Sequence, residues 1–349
     1  MKYLLIDGNN LAIRAAFANS GLMNREEVPT GVHFGTIQSL IYLRQQFPDY
    51  QILMVWDGKS KRRVKEASNA VANGLIKSGY KANRKKDDPP QPLLDFFEQS
   101  QVLKLGIEKL GIPQMRLMDY ETDDVIASYC EQNKEDEIVC VTTDKDYYQL
   151  LTDKVSMWNG MKEVMITKHI FSTENGIDPI RHVDVGALSG DAGDNIFGVP
   201  GWGEKTALKA IQAHGSWQNT LKFFHDKYEE IRKIHPDATG DDFVELKSFK
   251  TPKEKDKYPE IMDGMPFSGI ALALERGDWK PAKTSGVKNE LMALMFEERI
   301  KLAYSLKKMD TEIENLPNIT NGTFDRKSAL EYLDYMDIDS LTEEIEVFE

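Results

Sequence analysis

Cysteine is nearly missing from this sequence: Cys130 and Cys140 are the two it has, both in apolar-looking segments. Two such residues exclude a disulfide framework and read as buried free thiols in a reducing, cytoplasmic compartment. Histidine is scarce as well. There are six, none with metal-ligand spacing beside the acidic clusters, which argues against a zinc site. No apolar run approaches the roughly 18 residues that cross a bilayer, so no membrane association is expected. No signal peptide is read at the N-terminus, where Met1-Lys2 leads into the apolar segment Tyr3 to Ile6 and then Asp7. A Gly-x-Gly-x-x-Gly fingerprint after the first strand is also missing, which argues against a dinucleotide enzyme.

What is present is an acidic chain with one basic island. Residues 59–86 hold ten basic side chains against the single acid Glu66, a net +9, which leaves −22 for the rest of a chain whose total is −13. A charge run is ordinarily a solvated helix face. Concentrated on an acidic protein, it is also a local electrostatic footprint for a polyanion.

The first half alternates strand and helix signals. Short apolar strands are expected at 2–6, 51–56 and 137–141, and helices at about 10–19, 31–46, 61–77 and 93–110. Strands apolar on both faces and separated by helices imply an α/β fold with a central, mostly parallel sheet flanked by helices. From about Arg181 the signals turn helical with glycine loops. Residues 235–290, broken by Pro236, Gly240, Pro252, Pro259, Pro266 and Pro281, are expected to hold little regular structure. The stretch from Glu331 to Glu349 has eight acids and no bases and is expected to be a solvated terminal segment, or a docking tail.

In an open parallel sheet, ligands gather at the carboxyl ends of the strands. Asp7 and Asp57 directly follow the first two strands; Asp144 and Asp146 lie just past the third. Each alone is an ordinary turn or cap residue, but three strands deliver acids to one edge. Glu121, Asp123 and Asp124 open a helix, and Asp191 and Asp194 stand in a glycine-rich loop. Nine carboxylates with no matching cations close by in sequence call for a divalent ion. Hard oxygen donors select Mg²⁺ or Mn²⁺. Two such ions clamping a phosphodiester would neutralise it and activate water.

The ordered set Asp7-Gly-Asn-Asn, Thr30-Gly-Val-His-Phe-Gly-Thr, Val55-Trp-Asp57, Tyr80-Lys-Ala-Asn-Arg84, Glu121-Thr-Asp-Asp124, Thr142-Thr-Asp-Lys-Asp146, Gly190-Asp-Ala-Gly-Asp-Asn195 and Gly198-Val-Pro-Gly-Trp-Gly-Glu-Lys-Thr-Ala207 resembles the 5′-nuclease (flap endonuclease) family. That family includes the 5′→3′ exonuclease domain of bacterial DNA polymerase I and the stand-alone 5′-nucleases of bacteriophages. No polymerase segment follows, so the phage-like form fits best, with the host cytoplasm as the expected location.

The resemblance implies a PIN-like core over 1–185 with a helical arch at about 58–92, a helical helix–hairpin–helix region over 186–315, and an acidic segment over 316–349. One metal group would draw on Asp7, Asp57, Glu121, Asp123 and Asp144, and a second on Asp124, Asp146, Asp191 and Asp194. Two Mg²⁺ ions are implied, replaceable by Mn²⁺, with K⁺ at the hairpin loop. Lys81 and Arg84 would reach the scissile phosphate. Arg14, Lys59, Arg62, Arg63 and Lys85 would contact DNA. Gly198, Gly201, Gly203, Lys205 and Thr206 would grip the duplex backbone. The expected activity is 5′→3′ exonuclease and flap endonuclease cleavage by a monomer acting on branched or 5′-ended DNA and RNA/DNA primer junctions. The acidic tail is a candidate contact for a replication protein.

Two departures stand out. Ile13 occupies a position where family members often carry an aromatic, and Trp202 replaces a small aliphatic residue in the hairpin. A PIN-like ribonuclease and a non-catalytic DNA-junction scaffold are the alternatives. Length and the Gly198–Ala207 run disfavour the first, and a complete set of nine carboxylates disfavours the second.

Overall fold

The computed structural model describes residues 1–84, 88–234, 290, 293–320 and 322–349. Lys85 and almost all of the 235–290 region, for which little regular structure is expected, lie outside the described residues. The order begins β1 (Lys2–Asp7), α1 (Gly8–Ala18), α2 (Gly31–Gln46), β2 (Gln51–Trp56), α3 (Lys61–Ala72), α4 (Gln91–Lys109), β3 (Gln114–Arg116), α5 (Thr122–Gln132) and β4 (Glu137–Val141). It continues with β5 (Val155–Asn159), β6 (Val164–Ile166), α6 (Lys168–Asn175), α7 (His182–Ser189), β7 (Gly190–Asp191), β8 (Ile196–Phe197), α8 (Glu204–His214) and α9 (Trp217–Ile234). Two later helices are α10 (Glu297–Lys307) and α11 (Arg326–Tyr335).

The sheet runs β3-β2-β1-β4-β5-β6, parallel except for β6. Its three expected strands are there. The three others, β3, β5 and β6, are short or alternating and lack a long apolar run. The basic helix α3 ends at Ala72, earlier than expected, because Asn73 and Gly74 turn the chain, with Gly74 at φ +71°.

Alternation along each strand divides the core. Tyr3, Leu5, Leu53, Val55, Ile138 and Cys140 face the layer containing α5, α7, α8 and α10. Leu4, Ile6, Ile52, Met54, Val139 and Val141 face α1, α2, α4 and α11. Cys130 and Cys140 are both buried as free thiols in the first layer. Among the described residues, no helix is long and apolar enough to cross a membrane.

The acidic C-terminal stretch differs from the solvated segment expected. Leu333, Met336, Ile338, Leu341 and Ile345 are buried in the second core, each worth about 1.5–3 kcal/mol when fully removed from water. The acids alternate with these apolar positions, so charge counting conceals an amphipathic face. Tyr332 lies against Gly106 of α4, where a Cβ would come within 2.1 Å of its ring.

Candidate active site

Parallel pairing brings the acids to one edge. Asp7 ends β1 opposite Val55, Asp57 follows β2, and Ile6 pairs with Val141, three residues before Asp144. Asp7 caps α1 by accepting from the Asn10 amide at 3.0 Å, and Asp57 accepts from the Thr122 amide at 3.0 Å. Asp57 thus fixes the start of α5, the helix that carries Asp123 and Asp124. Glu121 stands at the α5 N-cap but its side chain caps nothing. It is directed instead at Lys81, Tyr80 and Arg63.

The electrostatics record the crowding. Burial, then Asp57, Asp144 and Asp123, push Asp7 well above the usual carboxylate range. Burial raises Asp144 too. Asp124 is pushed up to about 7 by burial and Asp123, and Asp146 to about 7 by burial that outweighs Lys307. Burial works on Asp123 the same way, but the Arg63 guanidinium holds it below its ordinary value.

Four cations lie within 3 Å of these acids. Arg63, 1% exposed, lies 2.7 Å from Glu121, 2.8 Å from Asp123 and 2.9 Å from Asp124. Lys81 donates to Glu121 at 2.9 Å, and its amide donates to the Asp194 carbonyl at 2.9 Å. Arg84 pairs with Asp194. Lys307 lies 2.5 Å from Asp146 and 2.8 Å from Asp191. The Tyr80 hydroxyl is 2.9 Å from Glu121 and 3.2 Å from Asp194, joining two acids distant in sequence.

The second metal group expected from sequence is therefore split. Asp124 sits with Glu121 and Asp123 on Arg63, Asp146 and Asp191 share Lys307, and Asp194 faces Tyr80, Lys81 and Arg84. Among the described residues no three acids close around one point as a ready coordination shell. The donor set nevertheless fits hard divalent ions: it is oxygen-only, crowded and partly buried, and Asp124 Oδ2 is buried without a hydrogen-bond partner. A cavity of about 450 Å³ opens beside it, lined by Asp144, Asp146, Asp191, Gly203, Glu204 and Lys307.

That cavity reaches the glycine loop. Gly198 packs against the backbone of Gly190, where a Cβ would fall 2.3 Å from the Gly190 nitrogen. Gly201 adopts φ +83°, and Gly203 precedes α8 in open space. Lys205 is exposed on the first turn of α8, beside Thr206. Trp202 is buried and meets Phe224 edge-on, so it packs inward.

Not every basic residue expected to contact DNA lies on a surface. Arg63 is turned inward onto the acids. Arg62 donates to the carbonyls of Ser305 and Lys308 at 2.7 and 2.8 Å, tying α3 to the end of α10. Lys59 is exposed. Arg14 lines a separate cavity of about 400 Å³ with Tyr42 and Trp158. Ile13 is partly buried against the second core. Sequence reasoning missed Tyr80 and Lys307. Lys307 is 161 residues from Asp146, so no local pattern links them.

A resolvase-like α/β sheet carrying a carboxylate-rich edge beside a glycine hairpin defines the class. The N-terminal resolvase-like domain model of 5′-3′ exonucleases matches residues 2–176, and their C-terminal SAM-fold model matches residues 177–240. The chain belongs to the 5′-3′ exonuclease family. The 5′-3′ exonuclease of Aquifex aeolicus is 31% identical over 296 residues, 84% of this chain and 93% of that protein. The thermostable DNA polymerase I of Thermus thermophilus is 34% identical over 223 residues, 63% of this chain. The match spans about a quarter (25%) of that polymerase. The D15 flap endonuclease of bacteriophage T5, solved in a complex with DNA and metal ions, shares the fold at TM-score 0.55 and 17% identity, covering 100% of this chain and 99% of its own.

Proposed function

We propose that this chain is a structure-specific 5′-nuclease that hydrolyses phosphodiester bonds near free 5′ ends and flaps, with Mg²⁺ as its ion and Mn²⁺ as a substitute. The observation that carries the reading is the convergence of nine carboxylates with Lys81 and Arg84 at one sheet edge. Substrates in this reading are branched or 5′-ended DNA and RNA/DNA primer junctions, and the setting is phage replication or primer removal. Membership of the family and the metal-and-DNA complex of the T5 enzyme support it.

Asp7, Asp57, Glu121, Asp123 and Asp144 would hold one ion, with Asp124 beside them on Arg63. Asp146, Asp191 and Asp194 would hold the other. The ions supply charge neutralisation at the phosphate and a water acidic enough to attack at neutral pH. The chain supplies the rest. Lys81 and Arg84, already fixed beside Glu121 and Asp194, place positive charge where the phosphate develops negative charge. Tyr80 holds Glu121 and Asp194 in register. Gly198, Gly201 and Gly203 let the backbone approach a duplex phosphate, and Lys205 and Thr206 extend that grip without reading bases. K⁺ at this loop belongs to the same proposal. So does the division into nuclease core (1–185), helical region (186–315) and C-terminal segment (316–349).

The test is a 5′-labelled flap duplex with Mg²⁺, comparing the wild type with Asp146→Ala. Cleavage near the junction, abolished by the substitution and by excess EDTA while duplex binding persists, is expected. A wild type that binds the flap tightly and leaves it intact overturns the reading in favour of a scaffold.

A further inference from the structure

Lys307 is the last residue of α10, and its side chain is 8% exposed. Its ammonium lies 2.5 and 2.6 Å from the two oxygens of Asp146 and 2.8 Å from Asp191. Its stem crosses Gly186, where a Cβ would stand 3.0 Å from Lys307 Cε. The Gln149 amide group donates to the Asp146 carbonyl at 2.9 Å and to the Lys307 carbonyl at 3.0 Å. Its oxygen accepts from the Met309 amide at 3.1 Å. Arg62 holds the same turn through the Ser305 and Lys308 carbonyls. The ion pair is therefore clamped on both sides rather than being a loose surface contact.

Resting on the nuclease reading, we propose that Lys307 is a tethered cation seated where the second divalent ion binds, and that this ion must displace it. A magnesium ion takes carboxylate oxygens at about 2.0–2.1 Å. An ammonium hydrogen-bonded to the same oxygens would then lie close to a doubly charged ion, with both desolvated. The two cations repel each other, so sharing one carboxylate pair between them is costly. Lys307 has three donors on a flexible four-carbon stem, and the cavity beside Asp146 and Gly203 gives its head room to withdraw. Without metal, Lys307 offsets part of the carboxylate charge, and the second ion, which must displace it, binds more weakly than the first.

Two measurements on the full chain without DNA test this. Calorimetric titration with Mn²⁺ is expected to give a tight and a weaker binding event in the wild type. Lys307→Met should tighten the weaker event roughly tenfold, a change of about 1.4 kcal/mol, and leave the tight one unmoved. Lys307→Arg should restore the gap. A weaker event that is unchanged or weakened in Lys307→Met overturns the proposal. The second measurement needs no variant: reductive methylation of Lys307 in the wild type, read by mass spectrometry, should be slow without metal and faster at saturating Mn²⁺. Protection that persists at saturation also overturns it. If the wild type cuts flaps and binds two ions while either readout fails, only the role of Lys307 falls. If it binds no ion at all, the nuclease reading falls with it.

Discussion

His33 Nδ1 lies 2.5 Å from the Tyr332 hydroxyl, joining α2 to α11 across 299 residues. The other ring nitrogen is 3.2 Å from Gln99 Oε1 on α4. Three helices of the second core are thus pinned at one imidazole that is fully buried.

Burial lowers His33 to about 4, against an ordinary 6.5. In the folded chain it is neutral at pH 7; in the unfolded chain it takes a proton below about 6.5. The stability present above that pH is lost as the pH falls towards 4, by at most about 3 kcal/mol from this group. His182, also lowered to about 4 by burial, acts with the same sign. Urea midpoints measured from pH 7 to 4.5 should fall, and His33→Gln should flatten part of that slope. An unchanged slope in the variant would remove His33 as the cause.

Gly106→Ala forces a methyl into the Tyr332 ring. The expected cost is about 1–3 kcal/mol, read by chemical denaturation. Adding Tyr332→Ala should relieve much of it, so the two effects should be strongly non-additive. Simple addition would mean the ring moves aside freely.

Removing Arg63 leaves Glu121, Asp123 and Asp124 crowded and short of a partner. Arg63→Met should destabilise the metal-free protein by about 3–5 kcal/mol. Were Arg63 chiefly a DNA contact, stability would barely change while affinity fell. Denaturation and flap binding, measured on the same variant, separate the two.

Lys81 has φ +55°, and its position depends on the Asp194 carbonyl as well as on Glu121. Lys81→Ala should lower the cleavage rate by roughly 100-fold or more and leave duplex affinity within a few-fold. Equal losses in rate and affinity would make it a general phosphate contact.

The acids of the site were legible in the sequence because they sit beside local signals. Asp7 and Asp57 end apolar strands, Glu121 opens a helix, and Asp191 and Asp194 lie in a glycine loop. Lys81 and Arg84 were legible as cations of the site, whereas the parts played by Arg63 and Lys307 were not. Arg63 carries the sequence signature of a surface helix, and only its ion pairs to the acids at the start of α5 show it turned inward. Lys307 meets Asp146 through tertiary contact alone. In the C-terminal segment, eight acids drew attention away from Leu333, Met336, Leu341 and Ile345, whose spacing marks the buried face. Strands β3, β5 and β6 are too short or too mixed in composition to stand out from loops.

Because β1 lies between β2 and β4, the first carboxylate of the chain is completed by partners drawn from residues 57 to 194, and Lys307 arrives later still. No contiguous fragment ending before Asp194 contains the whole donor set. A fragment cut short ahead of that loop lacks Asp191 and Asp194 outright, so the full carboxylate cluster exists only on a molecule whose long-range pairing is finished.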